Sequence, residues 1–476
     1  MSGAEVPTRA RLAIGIGSIA YGIKDNGFSV FLLVFYNQVL GLPADQVGLV
    51  LLCALIIDGL IDPVIGVLSD STRSRIGRRH PWLYGSALPI GLSWLLLWNP
   101  PALSAETMVL HLFAVAVLVR ASVSANEVPA AALVPEMTRD YHERTAVIRY
   151  RFLFGWGAGL AMLMLAYGVL LTPGPGGGFT AGGFALFGAV GAAAMAMSVL
   201  VSALGTHRAY ARMPANAAPR HSLGGELRGI AHALSNRAFL ILMGMGLFAF
   251  ANQGMMFALT NYLLPYVWQF GRGGLLAYSV CLFIGVVGAF LTVTPLARRL
   301  GKKGAGGLLV LLAAAAGTAP YWLRLAGLFP APGDPALAPL FLLLAIAGTG
   351  AGVATMILIS SMVADLVEAA EERTGRRDEG LFYAGFFFVQ KCTTGLGIFL
   401  AGQIVSLSGF PARAGIGQVP DAVLDRLTLG YAGITIVFAV ASSLFARAFP
   451  IGRAEHEARL AKLAVAAARQ TGQHGG

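Results

Sequence analysis

The chain has 476 residues, of which 56% are hydrophobic and only 12% are charged, and its mean hydropathy is +0.71. An ordinary soluble domain has about 25% charged residues, so the composition excludes a soluble globular protein and predicts a polytopic membrane protein. The net charge is +11, but the basic residues lie in short loops between apolar segments, where Lys and Arg set membrane orientation. We therefore do not expect nucleic acid as a partner.

The apolar segments predict an all-α membrane protein with twelve transmembrane helices, counted at about 20 residues each. The predicted spans cover residues 12–38, 47–69, 82–100, 107–134, 146–172, 183–204, 237–267, 274–297, 305–326, 337–366, 381–408 and 427–447. They divide the chain into a six-helix bundle over 1–204, a central cytoplasmic loop over 205–236, a second six-helix bundle over 237–447 and a cytoplasmic tail over 448–476. No removable signal peptide is expected, because the first apolar run is too long and lacks a small-residue cleavage site.

The loops after spans two, four, six, eight and ten hold most of the basic residues, and the alternate loops hold few. By the positive-inside rule, both termini are expected in the cytoplasm of a cell that carries the protein in its inner membrane. Cys53, Cys281 and Cys392 lie in apolar segments without metal-like spacing, so we expect small core residues rather than ligands or disulfides.

The sequence also contains a weak internal repeat. The loop after span two reads SDSTRSRIGRRHPW, and the loop at the matching position of the second half reads ARRLGKKGAG. Basic residues alone are typical of any short cytoplasmic loop, but the shared combination with glycine favours two pseudo-symmetric bundles. Such bundles rock around a substrate site near the membrane midplane in secondary transporters.

Asp58 and Asp62 are four residues apart in an apolar segment, so they share one face of a helix. Ionisable residues inside a membrane are costly and usually mark an ion or substrate path; capping or a salt bridge at the helix end is the alternative. Lys24 and Asp25 lie in mid-span, where a substrate-binding carboxylate with an adjacent cation is favoured over a purely structural pair.

Further charges lie within the later spans. Arg120 and Glu127 are two turns apart on a similar helix face and can line one cavity, and Arg151 at the start of span five is placed to point inward. In the second half, only Lys391 is well inside a span. A buried ammonium group needs a carboxylate partner, and Asp58 or Asp62 is the candidate.

This set of charges indicates a coupling mechanism. Two neighbouring aspartates raise each other's proton affinity, or together attract a cation such as Na+. Either ion neutralises the site, and a site shared with Lys391 would link ion occupancy to the packing of the two halves. That linkage is the coupling free energy that symport requires.

Several motifs together resemble the glycoside–pentoside–hexuronide:cation symporter family of the major facilitator superfamily. They are KDNGF in span one, the two aspartates with Pro63 and Gly66 followed by TRSRIGRRHPW, then VPAAALVPEMTRDYHERT, RYRF, and ADLVEAAEERTGRRDEGLFYAG with Lys391. The resemblance implies a major facilitator fold and symport by alternating access. It implies that sugar is bound at Lys24, Asp25, Glu127 and Arg151, and that the coupling cation is bound at Asp58, Asp62, Ser124 and Lys391. We assign the cytoplasmic loop residues Gly66, Asp70, Arg78 and Arg79 to a conformational role.

The chain departs from the family pattern at four positions. Ile61 stands where the type member has an asparagine near the cation, which leaves both Na+ and H+ open. Glu127 replaces an aspartate, and Ala131 replaces a tryptophan that packs on the sugar ring, so substrate selectivity is not implied. Arg120 is an additional charge, which either serves an acidic substrate such as a hexuronide or neutralises Glu127; we place it in the substrate-binding set.

The sequence thus predicts a symporter of a glycoside, or a related sugar or uronide, that works as a monomer in a lipid bilayer. No cofactor and no metal are expected beyond a possible Na+ at Asp58 and Asp62. A lysolipid-type transporter of the same superfamily is the main alternative, and it would need a cavity open to lipid. An intramembrane enzyme is disfavoured, because the eight histidines form no HExxH or similar motif.

Overall fold

A computed structural model describes residues 6–138, 140–171, 174, 177–211, 224, 235–374 and 379–451, and these residues are almost entirely helical. The helices of the first half are α1 (Thr8–Gly17), α2 (Ile19–Asn26), α3 (Leu32–Val34), α4 (Ala44–Ser71), α5 (His80–Gly85), α6 (Ala87–Trp98), α7 (Ala105–Met137), α8 (Tyr141–Leu165) and α9 (Ala181–Tyr210). Those of the second half are α10 (Arg237–Tyr262), α11 (Arg272–Leu325), α12 (Leu337–Thr374), α13 (Glu379–Ser408) and α14 (Asp421–Ala448).

Nine helices within the described ranges are long and apolar enough to cross a membrane. The expectation of a multi-pass membrane protein is confirmed. The number twelve stays a prediction, because predicted spans 12–38 and 82–100 are built from shorter helices that follow one another along the chain.

The element α11 accounts for two of the predicted spans. Its 54 residues would extend about 80 Å, far more than the hydrocarbon core of about 30 Å. The helix is interrupted at Gly301, whose φ of 71° is not helical. This position separates the predicted spans 274–297 and 305–326.

Polar residues before three helices explain where these helices begin. Ser104, Asp140 and Thr180 each accept a hydrogen bond from a backbone N–H in the first turn of α7, α8 and α9, respectively. Such N-caps satisfy backbone donors that have no partner within the helix. The predicted spans four to six begin at residues 107, 146 and 183, and the helices begin a few residues earlier, at Ala105, Tyr141 and Ala181.

The chain forms two compact units, and the first contains the described residues of Met1–Leu223 together with Gly254–Ser279 and Thr394–Thr428. Within it, α4 packs along α7, and α2 packs along α8. The second contact is made through glycines: a side chain at Gly22 would overlap the backbone of Gly155. Small residues at such contacts let membrane helices approach closely.

The first unit also joins the end of the first predicted span to the segment 254–279 by buried polar contacts. Asn261 donates to the carbonyl of Val30 at 2.7 Å and accepts from the Tyr167 hydroxyl at 2.8 Å. The hydroxyl of Tyr262 donates to Asn37 at 2.9 Å. Val30 and Asn37 lie in short π-helical segments, which occur frequently at functional sites.

The second unit contains the described residues of Gly224–Gln253, Val280–Thr393 and Leu429–Gly476. Its core brings together apolar side chains of α10, α12, α13, the end of α14 and the residue after it, among them Phe239, Met245, Ile359, Phe386 and Phe449. The hydroxyl of Ser442 donates to the backbone carbonyl of Met245 at 2.9 Å and so joins α14 to α10.

The predicted division into bundles at 1–204 and 237–447 stays a prediction. Most of the central loop 205–236 and of the tail 448–476 lies outside the described residues. The three cysteines are free thiols, as expected for residues in apolar segments.

Candidate functional site

Two helices of the first unit, α4 and α7, hold a buried cluster of charged and polar side chains. Nη1 of Arg120 donates to Oδ2 of Asp58 at 2.9 Å, and the two side chains are 3% and 0% exposed. The Ser124 hydroxyl is 3.1 Å from Oδ1 of Asp58 and 2.7 Å from Oδ1 of Asp62. Three of the four residues predicted around the cation, Asp58, Asp62 and Ser124, are thus in contact.

The spacing along each helix explains how this cluster forms. Residues four apart share one face of a helix, so Asp58 and Asp62 on α4 face Arg120 and Ser124 on α7. Ser124 has a single hydroxyl proton, so it can donate to one of the two aspartates at a time. The two carboxylates therefore share this one hydroxyl donor.

The guanidinium group of Arg120 has an aromatic neighbour. Its Cζ lies 4.4 Å from the ring centroid of Phe28, a cation–π distance, and Phe28 is fully buried in a π-helical segment that follows α2. The Nε atom of Arg120 is buried with no hydrogen-bond partner in the described structure. Arg120 is thus held between Phe28 and Asp58.

The residues predicted to bind sugar lie on α2, α7 and α8. Nη2 of Arg151 is 4.0 Å from Oε1 of Glu127, and Nε of Arg151 donates to the Ser18 hydroxyl at 3.4 Å. Glu127 is 34% exposed and Arg151 17% exposed, and Asp25 is exposed. Unlike Asp58, the carboxylates of this set are accessible to a solute.

Lys24 and Asp25 are neighbours in α2 with different surroundings. Lys24 is buried, and its ammonium group lies 4.5 Å from the ring centroid of Tyr21. Asp25 points to the exposed side of the helix. The expectation that both bind substrate stays a prediction, and the structure brings Tyr21 into the site beside them.

Tyr21 connects the two predicted sets. The residue is half-buried, and its hydroxyl interacts electrostatically with the carboxylates of Asp25, Glu127 and Asp58 and with the guanidinium group of Arg120. Two of these carboxylates belong to the predicted sugar set, and the third belongs to the predicted cation set. The two sets therefore adjoin each other around one phenol.

The structure places Arg120 with the predicted cation set. The sequence suggested an acidic substrate or Glu127 as its partner, but the ion pair is formed with Asp58, and Glu127 has Arg151 near it. The reason is the packing of α4 against α7, which turns position 120 towards position 58.

A second charged cluster follows α4. Arg79 forms ion pairs with Asp70 and Glu136, and its Nη1 donates to the Ser69 hydroxyl at 2.8 Å. Arg78 donates to the same Glu136 oxygen at 2.7 Å. The residues assigned to a conformational role, Asp70, Arg78 and Arg79, are brought together by Glu136 at the end of α7.

Gly66, the fourth residue of that assignment, lies one turn before the cluster on α4. Its carbonyl accepts a hydrogen bond from the Ser69 hydroxyl at 3.0 Å. The same hydroxyl accepts a hydrogen bond from Arg79, so Ser69 links Gly66 to the cluster. A side chain at Gly66 would make only ordinary contact with Val128. The structure gives this glycine no steric requirement.

In the second unit, Lys302 Nζ lies 2.5 Å from Oδ1 of Asp365. Lys302 belongs to the basic segment RRLGKKG within α11, and Asp365 lies on α12. Lys391 lies on α13 in the second unit. Its partnership with Asp58 or Asp62 stays a prediction.

Sequence reasoning missed Tyr21, Phe28, Glu136 and Asp365 as members of these clusters. Tyr21 lies three residues before the KDNGF motif, and Phe28 is the last residue of that motif. Glu136 and Asp365 each lie near the end of a predicted span that precedes a basic loop. An acidic residue near the end of the fourth span of each half of the chain could have indicated these two ion pairs from the sequence.

Comparison with known proteins identifies the family. Residues 13–453 match the model of a family described as MFS/sugar transport protein. A symporter of Synechocystis sp. is 29% identical over 532 aligned positions that cover 94% of each chain. An isoprimeverose transporter of Lactiplantibacillus pentosus is 24% identical over 435 positions that cover 91% of this chain and 86% of that one.

The fold is also found among solved structures. The inward open structure of the xylose transporter XylE from E. coli superposes with a TM-score of 0.62, at 13% identity, and the alignment covers 94% of this chain and 98% of that one. At this level of identity the likeness concerns the fold alone, and it confirms the expected major facilitator architecture. Since the family match covers almost the whole sequence, the chain belongs to the MFS/sugar transport protein family and is a membrane transporter rather than an enzyme.

Proposed function

We propose that the protein carries a glycoside, or a related sugar or uronide, across the cell membrane together with a cation. The observation that carries this proposal is that Tyr21 interacts electrostatically both with the carboxylates of Asp25 and Glu127 and with the Asp58–Arg120 pair. A solute at the first group and an ion at the second would change each other's binding free energy. Such reciprocal coupling is the thermodynamic requirement for symport.

The accessible carboxylates and the guanidinium group suit a polyhydroxylated solute. Asp25 and Glu127 can each accept hydrogen bonds from two sugar hydroxyls, and Arg151 and Lys24 can donate to sugar oxygens. Charge-assisted hydrogen bonds are stronger than neutral ones, and they orient the ring. The exposure of Glu127 and Arg151 supports their role in substrate binding.

The buried aspartates suit the coupling cation. An ion that neutralises part of the negative charge on Asp58 and Asp62 changes the charge next to Tyr21 and therefore the affinity for solute. Lys391 is proposed to respond to this charge during alternating access. The ion is Na+ or H+. The proposed location is the inner membrane of a bacterial cell, with both termini in the cytoplasm and the monomer as the working unit.

The test is uptake into proteoliposomes of labelled glycosides, hexuronides and lysolipids, with and without a Na+ or a proton gradient. We expect gradient-driven accumulation of at least one glycoside or uronide. Accumulation of lysolipids alone would favour the lysolipid-type alternative, and the absence of any coupled uptake would refute the proposal. A thermal-shift screen of the same compounds reports binding independently of transport.

Two variants separate the roles of the two sets. Asp25→Ala should lose stabilisation by the transported solute, since it removes an accessible carboxylate. Asp58→Asn should lose gradient-driven accumulation while solute binding and exchange persist, because the solute carboxylates remain. Asp45→Asn is the matched control, since Asp45 lies in the first turn of the same helix, α4; it should behave like the wild type.

A further inference from the structure

The coupling cation of the proposed function must share its site with a positive charge that belongs to the protein. Arg120 occupies Oδ2 of Asp58 at 2.9 Å, and Ser124 lies 3.1 Å from the other oxygen of the same carboxylate. Both charged side chains are buried. Asp58, one of the two carboxylates expected to bind the coupling ion, Na+ or H+, thus has both oxygens in contact with protein donors.

Arg120 is poorly able to leave this position. A guanidinium group remains charged at all physiological pH values, and moving it away would leave two uncompensated buried charges. The ring of Phe28 at 4.4 Å adds a cation–π contact on one face. The pair is therefore a permanent feature of the site rather than an occasional contact.

A metal cation bound to Asp58 would be repelled by Arg120. Hard cations bind directly to several oxygen ligands, so Na+ bound to Asp58 would lie within a few ångströms of the guanidinium group. Two positive charges at that separation repel each other strongly in a buried site. Between the two aspartates on α4, the side chain of Ile61 has no oxygen to contribute.

We propose that Arg120 acts as a built-in cation at Asp58 and excludes Na+ and Li+ from this site. The inference bears on the proposed function through the predicted cation site, but the exclusion of metal cations is a property of the site itself. It predicts a gain of function: a neutral side chain at position 120 should open a Na+ site at Asp58.

The experiment measures the thermal unfolding midpoint of the purified full-length protein, without solute, in NaCl, LiCl and choline chloride at equal ionic strength. The wild type should show equal midpoints in all three salts. Arg120→Gln should be less stable than the wild type in choline chloride. NaCl should raise its midpoint by a few degrees in a saturable manner, as expected for a ligand that binds only the folded state.

Two further variants fix the location of the ion. Arg120→Lys keeps the positive charge and should remain insensitive to Na+. The double variant R120Q/D58N removes the carboxylate and should lose the Na+ response of the single variant. A Na+ response that persists in the double variant would place the ion elsewhere and overturn the proposal.

The remaining outcomes are also decisive. Saturable stabilisation of the wild type by Na+ relative to choline overturns the proposal, and so does an Arg120→Gln variant that is folded but insensitive to Na+. If Arg120→Gln is recovered folded only in NaCl, the proposal is supported. If it is recovered in neither salt, the proposal is overturned, because an open Na+ site would restore stability. None of these readings requires solute or transport, so they stand apart from the test of the proposed function.

Discussion

Lys302 forms a 2.5 Å ion pair with Asp365 in the second unit, and in the first unit Arg79 pairs with Glu136. In both cases the cation lies in the basic segment that connects two predicted spans and whose pattern is repeated between the halves of the chain. The anion lies near the end of the predicted span two positions further along. The weak sequence repeat therefore corresponds to a repeated ion pair. This correspondence supports the predicted pseudo-symmetry, since each pair is found within its own unit.

Removing the shared carboxylate of the first cluster should weaken the unit that contains it. Glu136→Gln removes the ion pairs to Arg78 and Arg79, and Arg79 is almost fully buried. Loss of one partner of a buried ion pair costs about 3–5 kcal/mol, less the part that Asp70 still compensates. We expect a lower unfolding midpoint and slower transport.

Asp365→Asn should also lower the unfolding midpoint, because it removes the ion pair with Lys302 in the second unit. Glu106→Gln is the control on α7, because Glu106 is an exposed residue of the first turn. An unchanged midpoint in Glu136→Gln, measured next to this control, would show that the cluster does not stabilise the folded state.

Asn261→Ala should destabilise the first unit. The substitution leaves the carbonyl of Val30 and the hydroxyl of Tyr167 without their partner. Each buried polar group left unsatisfied costs about 1–3 kcal/mol. Because Val30 lies in the π-helical segment that carries Phe28, we also expect altered transport.

The matched control for this prediction is Asn99→Ala. Asn99 is exposed, and its side chain donates only to Leu95 of the preceding helix. Thermal unfolding and uptake of both variants should be compared. Equal midpoints for the two variants would contradict the role assigned to Asn261.

Gly22→Ala should separate α2 from α8. An added methyl group at Gly22 would overlap the carbonyl of Gly155, which is backbone and cannot turn aside. Overpacking of this kind costs about 1–3 kcal/mol. Since α2 carries Asp25 and α8 carries Arg151, substrate affinity should fall together with stability.

Gly157→Ala provides the control on α8, because a methyl group there would meet no described atom within 4 Å. Solute-induced thermal shifts of the two variants should differ, with a reduced shift only for Gly22→Ala. A normal shift in Gly22→Ala would mean that this helix contact does not position the substrate groups.

His80 should make the protein sensitive to acid. This residue precedes the predicted span 82–100, and burial together with nearby His207 lowers its pKa from 6.5 to about 4. Its Nε2 lies 3.1 Å from the Thr206 hydroxyl, whose proton is donated to the Ser202 carbonyl at 2.8 Å. Nε2 of the neutral imidazole is therefore the donor to Thr206.

The sign of the pH effect follows from this lowered pKa. Above pH 6.5 the imidazole is neutral in both the folded and the unfolded state, and its stabilising contribution is fully present. As the pH falls from 6.5 to about 4, the unfolded state takes up the proton first, so stability is lost by at most about 3 kcal/mol. His80→Gln should flatten the pH dependence of the unfolding midpoint in this window.

The sequence by itself determined the class, the membrane-spanning segments and the identity of the ionisable residues. Hydropathy and loop charge act over short stretches of chain, so they can be recognised without any knowledge of packing. Spacing along one helix was sufficient to place Asp58 and Asp62 on one face. The family motifs were sufficient to associate Ser124 with them.

Only the tertiary structure decided which charges pair. The partner of Arg120 depends on the rotation and axial position of α7 against α4, and no spacing within a single helix fixes these two quantities. The same is true of Tyr21, whose interaction with members of both predicted sets results from the packing of α2 in the first unit. The sequence predicted a site for a coupling ion, and the fold placed the guanidinium group of Arg120 in it.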